Sequence, residues 1–162
     1  MRQITLSRRL AFVLAFVAAP LARAAGFCSE LDTVLAAAPQ FSSLRGEAEG
    51  MQYDGTLRVL EATQCKIRNK SDLDDNWQPT NEKWSYECLW EDKPAEALPM
   101  LQGFVVKCLG SRASFSDGSP LSREFSNFTG GVFAVGDTSI VVDLNKDTNQ
   151  LWLTVLPPAV TQ

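Results

Sequence analysis

The sequence predicts an α+β domain: two helices packed on an antiparallel sheet, in the order α-β-β-α-β-β-β, stapled by two disulfides. Three observations carry this. Apolar residues recur at three- and four-residue steps in two separate stretches, and at alternate positions elsewhere. The strand-like stretches come in runs and not in βαβ alternation, which favours helices gathered on one face of an antiparallel sheet. Cysteine occurs four times in a chain of 162 residues that is 45% apolar and 21% charged, an even count in an ordinary single-domain composition.

Residues 1–24 read as a secretory signal peptide, leaving 25–162 as one exported domain. Arg2, Arg8 and Arg9 make a basic start, Leu10 to Ala19 an apolar run, Pro20 a break, and Ala22-Arg23-Ala24 a small-x-small cleavage site. The run is too short for a membrane anchor. Ser7-Arg8-Arg9 begins like a twin-arginine signal, but Ala11 stands where such a signal wants a large apolar residue. A disulfide protein also suits the general secretory route better. Phe27 is too large for the residue before a lipoprotein cysteine. The expected location is periplasmic or secreted, with no stable membrane association after cleavage.

The first helix follows. Ser29 with Asp32 forms an N-cap pattern, and Leu31, Val34, Leu35, Ala38, Phe41 and Leu44 share one helical face interrupted by Pro39. Gly46 to Gly55 is polar and reads as a loop. Thr56 to Ile67 places Leu57, Val59, Cys65 and Ile67 on one alternating face, a strand with room for a bulge. Asn69 to Glu82 reads as a long exposed acidic loop. Trp84, Tyr86, Cys88 and Trp90 alternate with Ser85, Glu87 and Leu89, a clear strand. Asp92 is positioned to cap a second helix carrying Ala97, Leu98, Leu101, Phe104, Val105 and Cys108. Pro99 delays or kinks its start and Gly110 ends it. Then come Phe125 and Phe128, Gly130-Gly131, and Val132 to Val135 closed by the turn Gly136-Asp137. A hairpin of Ser139–Leu144 and Gln150–Leu156 completes the domain, with Pro157-Pro158 as its end.

All four cysteines fall in the exported part, with no Cys-x-x-Cys spacing, so two structural bridges are expected and not a redox pair or zinc site. Cys65 and Cys88 sit in neighbouring strands. Cys28 opens the first helical stretch and Cys108 closes the second. The expected pairs are therefore Cys65–Cys88 and Cys28–Cys108.

The chain has no histidine, which removes Ser-His-Asp and Cys-His catalysis and imidazole metal ligation. Loss of Arg2, Arg8, Arg9 and Arg23 with the signal peptide would move the formal charge from −4 to −8. Such a chain is a poor binder of nucleic acid or anionic lipid, and a basic protein is the partner its charge favours. Calcium-loop alternation occurs at Asp72, Asp74 and Asn76, but Trp77 occupies the required glycine position and Lys83 the closing glutamate. Asp143, Asn145, Asp147 and Asn149 fail in the same way, with Thr148 and Thr154 at those places, and read as turn residues. No catalytic residue, metal or cofactor is expected.

Function is therefore expected to be binding. The partner-binding candidates are Trp77, Asp72, Asp74, Asp75 and Glu82, an aromatic anchor in an acidic loop, as in an inhibitor or immunity protein acting on a basic envelope hydrolase. The alternative is a carbohydrate- or envelope-binding module using an exposed tryptophan. Trp84, Trp90 and Trp152 are expected in the core. The third reading, a hydrolase without histidine, requires a deep pocket holding two acids.

Overall fold

The computed structural model describes residues 26–73, 79–80 and 82–157. Its helices are α1 (26–37), α2 (Ala97–Leu109) and α3 (Pro120–Glu124). Its strands are β1 (Arg45–Glu49), β2 (Gln52–Gly55), β3 (Gln64–Asn69), β4 (Asp72–Leu73), β5 (Pro79–Thr80) and β6 (Trp84–Trp90), followed by β7 (Ser114–Asp117), β8 (Phe128–Val135), β9 (Thr138–Asn145) and β10 (Gln150–Leu156). Eight of them form one antiparallel sheet in the order β1-β2-β3-β6-β10-β9-β8-β7, and β4 pairs with β5 apart from it. The α+β class holds, with more strands than the expected order.

Strand periodicity divides the sheet into two faces. On one face Tyr86, Cys88 and Trp90 lie opposite Val155, Leu153 and Leu151, with Ile140, Val142 and Leu144 beyond them on β9. Phe27, Leu31 and Val34 of α1 and Leu98, Leu101, Val105 and Leu109 of α2 join these residues in one buried cluster. Burying one such side chain contributes roughly 1.5–3 kcal/mol. The other face, which carries Ser85, Glu87, Trp152, Thr154, Val141 and Asp143, has no long helix over it among the described residues.

Local chemistry explains the helix ends. Pro99 stands in the first turn of α2, where backbone N–H groups have no helical partner and proline costs little. Gly110 takes φ 54°, open to glycine, and its N–H donates to the Val106 carbonyl. Helix α1 gives way to a turn over 38–40, where the Ala38–Pro39 bond is cis. Arg112 then ties the two helices by an ion pair to Asp32 at 3.0 Å.

Both expected disulfides are present. Cys28–Cys108 joins α1 to α2 across a separation of 80 residues, and Cys65–Cys88 joins β3 to β6 across 23. In the chain-entropy account these are worth about 4.5 and about 3 kcal/mol.

Several expected elements differ. Gly46 to Gly55 is not a loop: β1 and β2 pair there as a hairpin around Gly50 and Met51, with Gly50 at φ 62°. Its residues are mostly solvated at a sheet edge, so no apolar alternation marks them. Of the expected strand Thr56 to Ile67 only the end from Gln64 lies in a strand, β3, which runs on to Asn69. Val59–Glu61 is a 3₁₀ turn, and Glu30 Oε2 accepts from the Leu60 N–H at 2.8 Å. Ser29 lies inside α1 and caps nothing at a helix start. Asp92 is not a helix cap either: the chain turns through Pro94 first, with Ala97 N–H donating to the Pro94 carbonyl. The acidic stretch contains the short β4–β5 ladder, and β7 and α3 were not foreseen.

Candidate functional site: a pocket on the open face of the sheet

The 120–124 region hangs over the open face of the sheet and encloses a pocket of about 360 Å³. Its floor is Trp152 and Thr154 of β10 with Val141 and Asp143 of β9. Pro120, Leu121 and Phe128 form one wall, and Arg68, Lys70 and Glu87 the far end. Apolar lining with a few convergent polar groups is the usual character of a ligand site.

Register places these groups. On β6, Glu87 opposes Thr154, which opposes Val141 on β9; one row along, Trp152 opposes Asp143, which opposes Gly130 on β8. Gly130 is required there. A Cβ built on it would run into Asp143 Oδ1 and the Val142 carbonyl oxygen. The absence of a side chain on β8 is what makes room for the carboxylate.

The two acids are held differently. Glu87 is 8% exposed and accepts from Ser85 Oγ at 2.8 Å, while Lys70 Nζ stands 2.9 Å from Oε1. Arg68 Nε faces Oε2 at 3.2 Å but lacks the alignment of a hydrogen bond. Asp143 is 2% exposed, and its Oδ1 has no hydrogen-bond partner. Burial raises its proton affinity above that of an ordinary aspartate, and a hydrogen bond from Ser119 works weakly against this. Ser119 is itself fully buried and caps α3, accepting from the Ser122 N–H at 3.0 Å. One hydroxyl thus fixes both the short helix over the pocket and one side of the carboxylate.

Of the expected partner-binding residues, Asp72 and Glu82 fall within the described residues. Asp74, Asp75 and Trp77 lie outside the described residues. Asp72 is in β4, its backbone paired with Thr80, and Glu82 is exposed beyond that ladder. Glu82 does not line the open-face pocket. Trp84 and Trp90 are buried in the core, but Trp152 is not: it lies half-buried on the opposite face and lines the pocket. The expectation failed because Trp152 is one position out of phase with Leu151 and Leu153, which do enter the core. Asp143 was read as a turn residue. The turn instead begins at Asn145, whose Oδ1 accepts from the Asp147 and Thr148 N–H groups at 3.0 and 3.3 Å. A signal was available: Asp143 alternates with Val142 and Leu144 within an apolar strand, an acid in a position flanked by core.

Among the described residues, no group of three or more Cys, Asp or Glu side chains is arranged to hold a metal ion. No helix among them is long and apolar enough to cross a membrane. Searches against protein-family models, curated proteins and solved structures found no match for this chain.

Proposed function

We propose that this chain is a non-enzymatic, exported binding protein, and that the pocket on the open face of the sheet is where its partner engages. The observation that carries this is the pocket itself, where Trp152, Phe128 and Leu121 stand together with Arg68, Lys70 and Glu87. An apolar lining with a few convergent polar groups is the usual character of a ligand site. Export is supported by the signal-like first 24 residues and by two disulfides, which persist in oxidising compartments. The acidic composition supports a basic protein as partner, in the manner of an inhibitor or immunity protein of an envelope hydrolase.

Two acids in one pocket would also suit a hydrolase. The pairing of Glu87 with two cations and a hydroxyl argues for a structural anchor, because a proton carrier must exchange partners with substrate. The carbohydrate reading gains one observation: Trp152 stands directly opposite Asp143, a stacking surface beside an acceptor.

Affinity capture from envelope extract tests the proposal with three forms of the oxidised protein: wild type, Trp152→Ala, and the triple variant Asp74→Ala, Asp75→Ala, Trp77→Ala. Capture of a basic protein that is lost in Trp152→Ala and kept in the triple variant is the expected result. The reverse pattern would move the site to the acidic loop. A glycan panel that quenches Trp152 fluorescence, with no protein captured, would favour the carbohydrate reading.

A further inference from the structure

We propose that β7 is a self-association edge: two copies of this chain pair antiparallel along β7, about a two-fold axis at Phe115, and join their sheets into one. This stands independently of the pocket, to which β7 contributes no residue.

The edge is open and regular. Among the described residues β7 ends the eight-stranded sheet, with β8 as its neighbour, and all of its residues are exposed. Its register with β8 runs unbroken from Ser114↔Ala134 to Asp117↔Gly131, and Ala113 before it is extended at φ −122°. The Gly118 N–H donates to the Gly130 carbonyl at 3.0 Å, which marks those two residues as a hydrogen-bonded pair. Alternation along an antiparallel ladder makes Ser116 and Ser114 the next residues bonded to β8. It turns the N–H and C=O groups of Asp117, Phe115 and Ala113 outward. The opposite edge is guarded: β1 carries Arg45, Glu47 and Glu49 and breaks register between Arg45 and Ala48. Charges, prolines and bulges are the usual means of blocking an edge. β7 has no lysine, proline or bulge, and its one charge, Asp117, stands at its end.

The strand's own sequence selects a second copy as the occupant. Ala113-Ser114-Phe115-Ser116-Asp117 is close to a palindrome centred on Phe115. A two-fold there makes a hydrogen-bonded pair of Phe115 with Phe115 of the second copy, and two more of Ala113 with the other copy's Asp117. On the opposite face Ser114 meets Ser116 of the second copy. Ring opposes ring, hydroxyl opposes hydroxyl, and no like charges stand opposite one another. Centring the pair on Asp117 would set two carboxylates face to face, which is destabilising. Phe115 is placed for this contact. Its ring centroid lies 4.9 Å from that of the buried Phe133, and the ring rests over Gly131, where a Cβ would collide with it. Even so it stays 51% exposed, and pairing would take that apolar surface out of water.

Opposed side chains in a strand pair lie on one face, so the two-fold runs perpendicular to the sheet. Both copies then keep α1 and α2 on one side, and both open-face pockets look the other way. A partner with two docking elements would be held by two pockets at once. The contact is a short strand pair with one aromatic anchor a side, which makes the dimer weak and concentration-dependent. Two acidic chains repel at long range, but at physiological salt charges more than about 8 Å apart are largely screened.

The test is sedimentation equilibrium of the oxidised protein at physiological salt, over a wide range of concentration. A reversible monomer–dimer equilibrium is expected. Phe115→Pro removes the ring and the central outward N–H while sparing the β8 bonds at Ser114 and Ser116, and should raise the dissociation constant at least tenfold. Two double variants at exposed positions keep the test sharp where that variant fails to fold. Ser114→Lys with Ser116→Lys sets like charges opposite one another in the dimer and should weaken it at least tenfold. Ser114→Glu with Ser116→Lys sets opposite charges there and should tighten it. A monomer at every concentration would overturn the proposal, and so would a dimer that both double variants leave unchanged. A dimer that Val106→Lys, on the exposed side of α2, dissociates and Phe115→Pro does not would overturn it too, by moving the interface to that helix.

Discussion

Burial of the Asp143 carboxylate raises its proton affinity, and this links one residue to the pH dependence of the whole fold. The folded state holds the proton more tightly than the unfolded chain, whose aspartate titrates at the ordinary value of 3.8. Between that value and the raised one, the folded state binds more protons. This residue's contribution therefore favours folding increasingly as pH falls through the window, and opposes folding above it. Asparagine keeps the shape without the charge. Asp143→Asn should thus melt higher than wild type at neutral pH, and the gap should close as pH approaches 4. Thermal melts of both proteins across that range check this; a variant that melts lower at neutral pH would show the ionised carboxylate to be supported by its surroundings. Gly130 gives a second residue-scale prediction. Gly130→Ala forces a methyl group against Asp143 and the β9 backbone, and overpacking of this kind typically costs about 1–3 kcal/mol. Denaturant unfolding should show that loss.

Elements that bury a periodic face were legible in the sequence, and elements defined by edges or turns were not. Helix α2 was visible because Ala97, Leu98, Leu101 and Val105 repeat at helical steps and all reach the core. Strand β6 was visible from its alternating aromatics, and its register opposite β3 brings Cys65 and Cys88 together as their sequence neighbours implied. The β1–β2 hairpin was not visible, because a solvated edge needs no alternation. The pocket escaped for a related reason: it is built from the positions of β6, β9 and β10 that face away from the core, where periodicity gives no reason to single out a residue. The two disulfides differ at this scale. Cys65–Cys88 joins strands already paired over the whole of Gln64–Asn69, whereas Cys28–Cys108 joins two helices across a long loop. Replacing Cys28 and Cys108 together by serine should cost up to about 4.5 kcal/mol, and more than the same change at Cys65 and Cys88. Chemical denaturation of the two double variants checks the order.

The whole molecule is a sheet with one sealed face and one open face, and the two faces should respond differently to binding. Helices α1 and α2 seal the first, so β6, β9 and β10 are central in the sheet and packed against the core. Their amides should open only with global unfolding. The β1–β2 hairpin lies at one edge and β7 at the other, with every residue of β7 exposed, so their amides should exchange earliest within the sheet. A ligand in the open-face pocket lies against β3, β6, β9, β10, the start of β8 and α3, but not against α1. It stabilises every state that keeps the pocket intact, by an amount set by its concentration relative to its dissociation constant. Hydrogen exchange with and without a saturating partner captured from envelope extract should therefore slow most strongly in α3 and the neighbouring start of β8. These segments wall the pocket, yet they hold to the molecule through the Ser119 cap and few core residues. The edge hairpin, which can open without disturbing the pocket, should exchange at its original rate. Equal slowing in β1–β2 and α3 would mean that both open only with the whole molecule, and that α3 is a rigid wall with no independent motion to suppress.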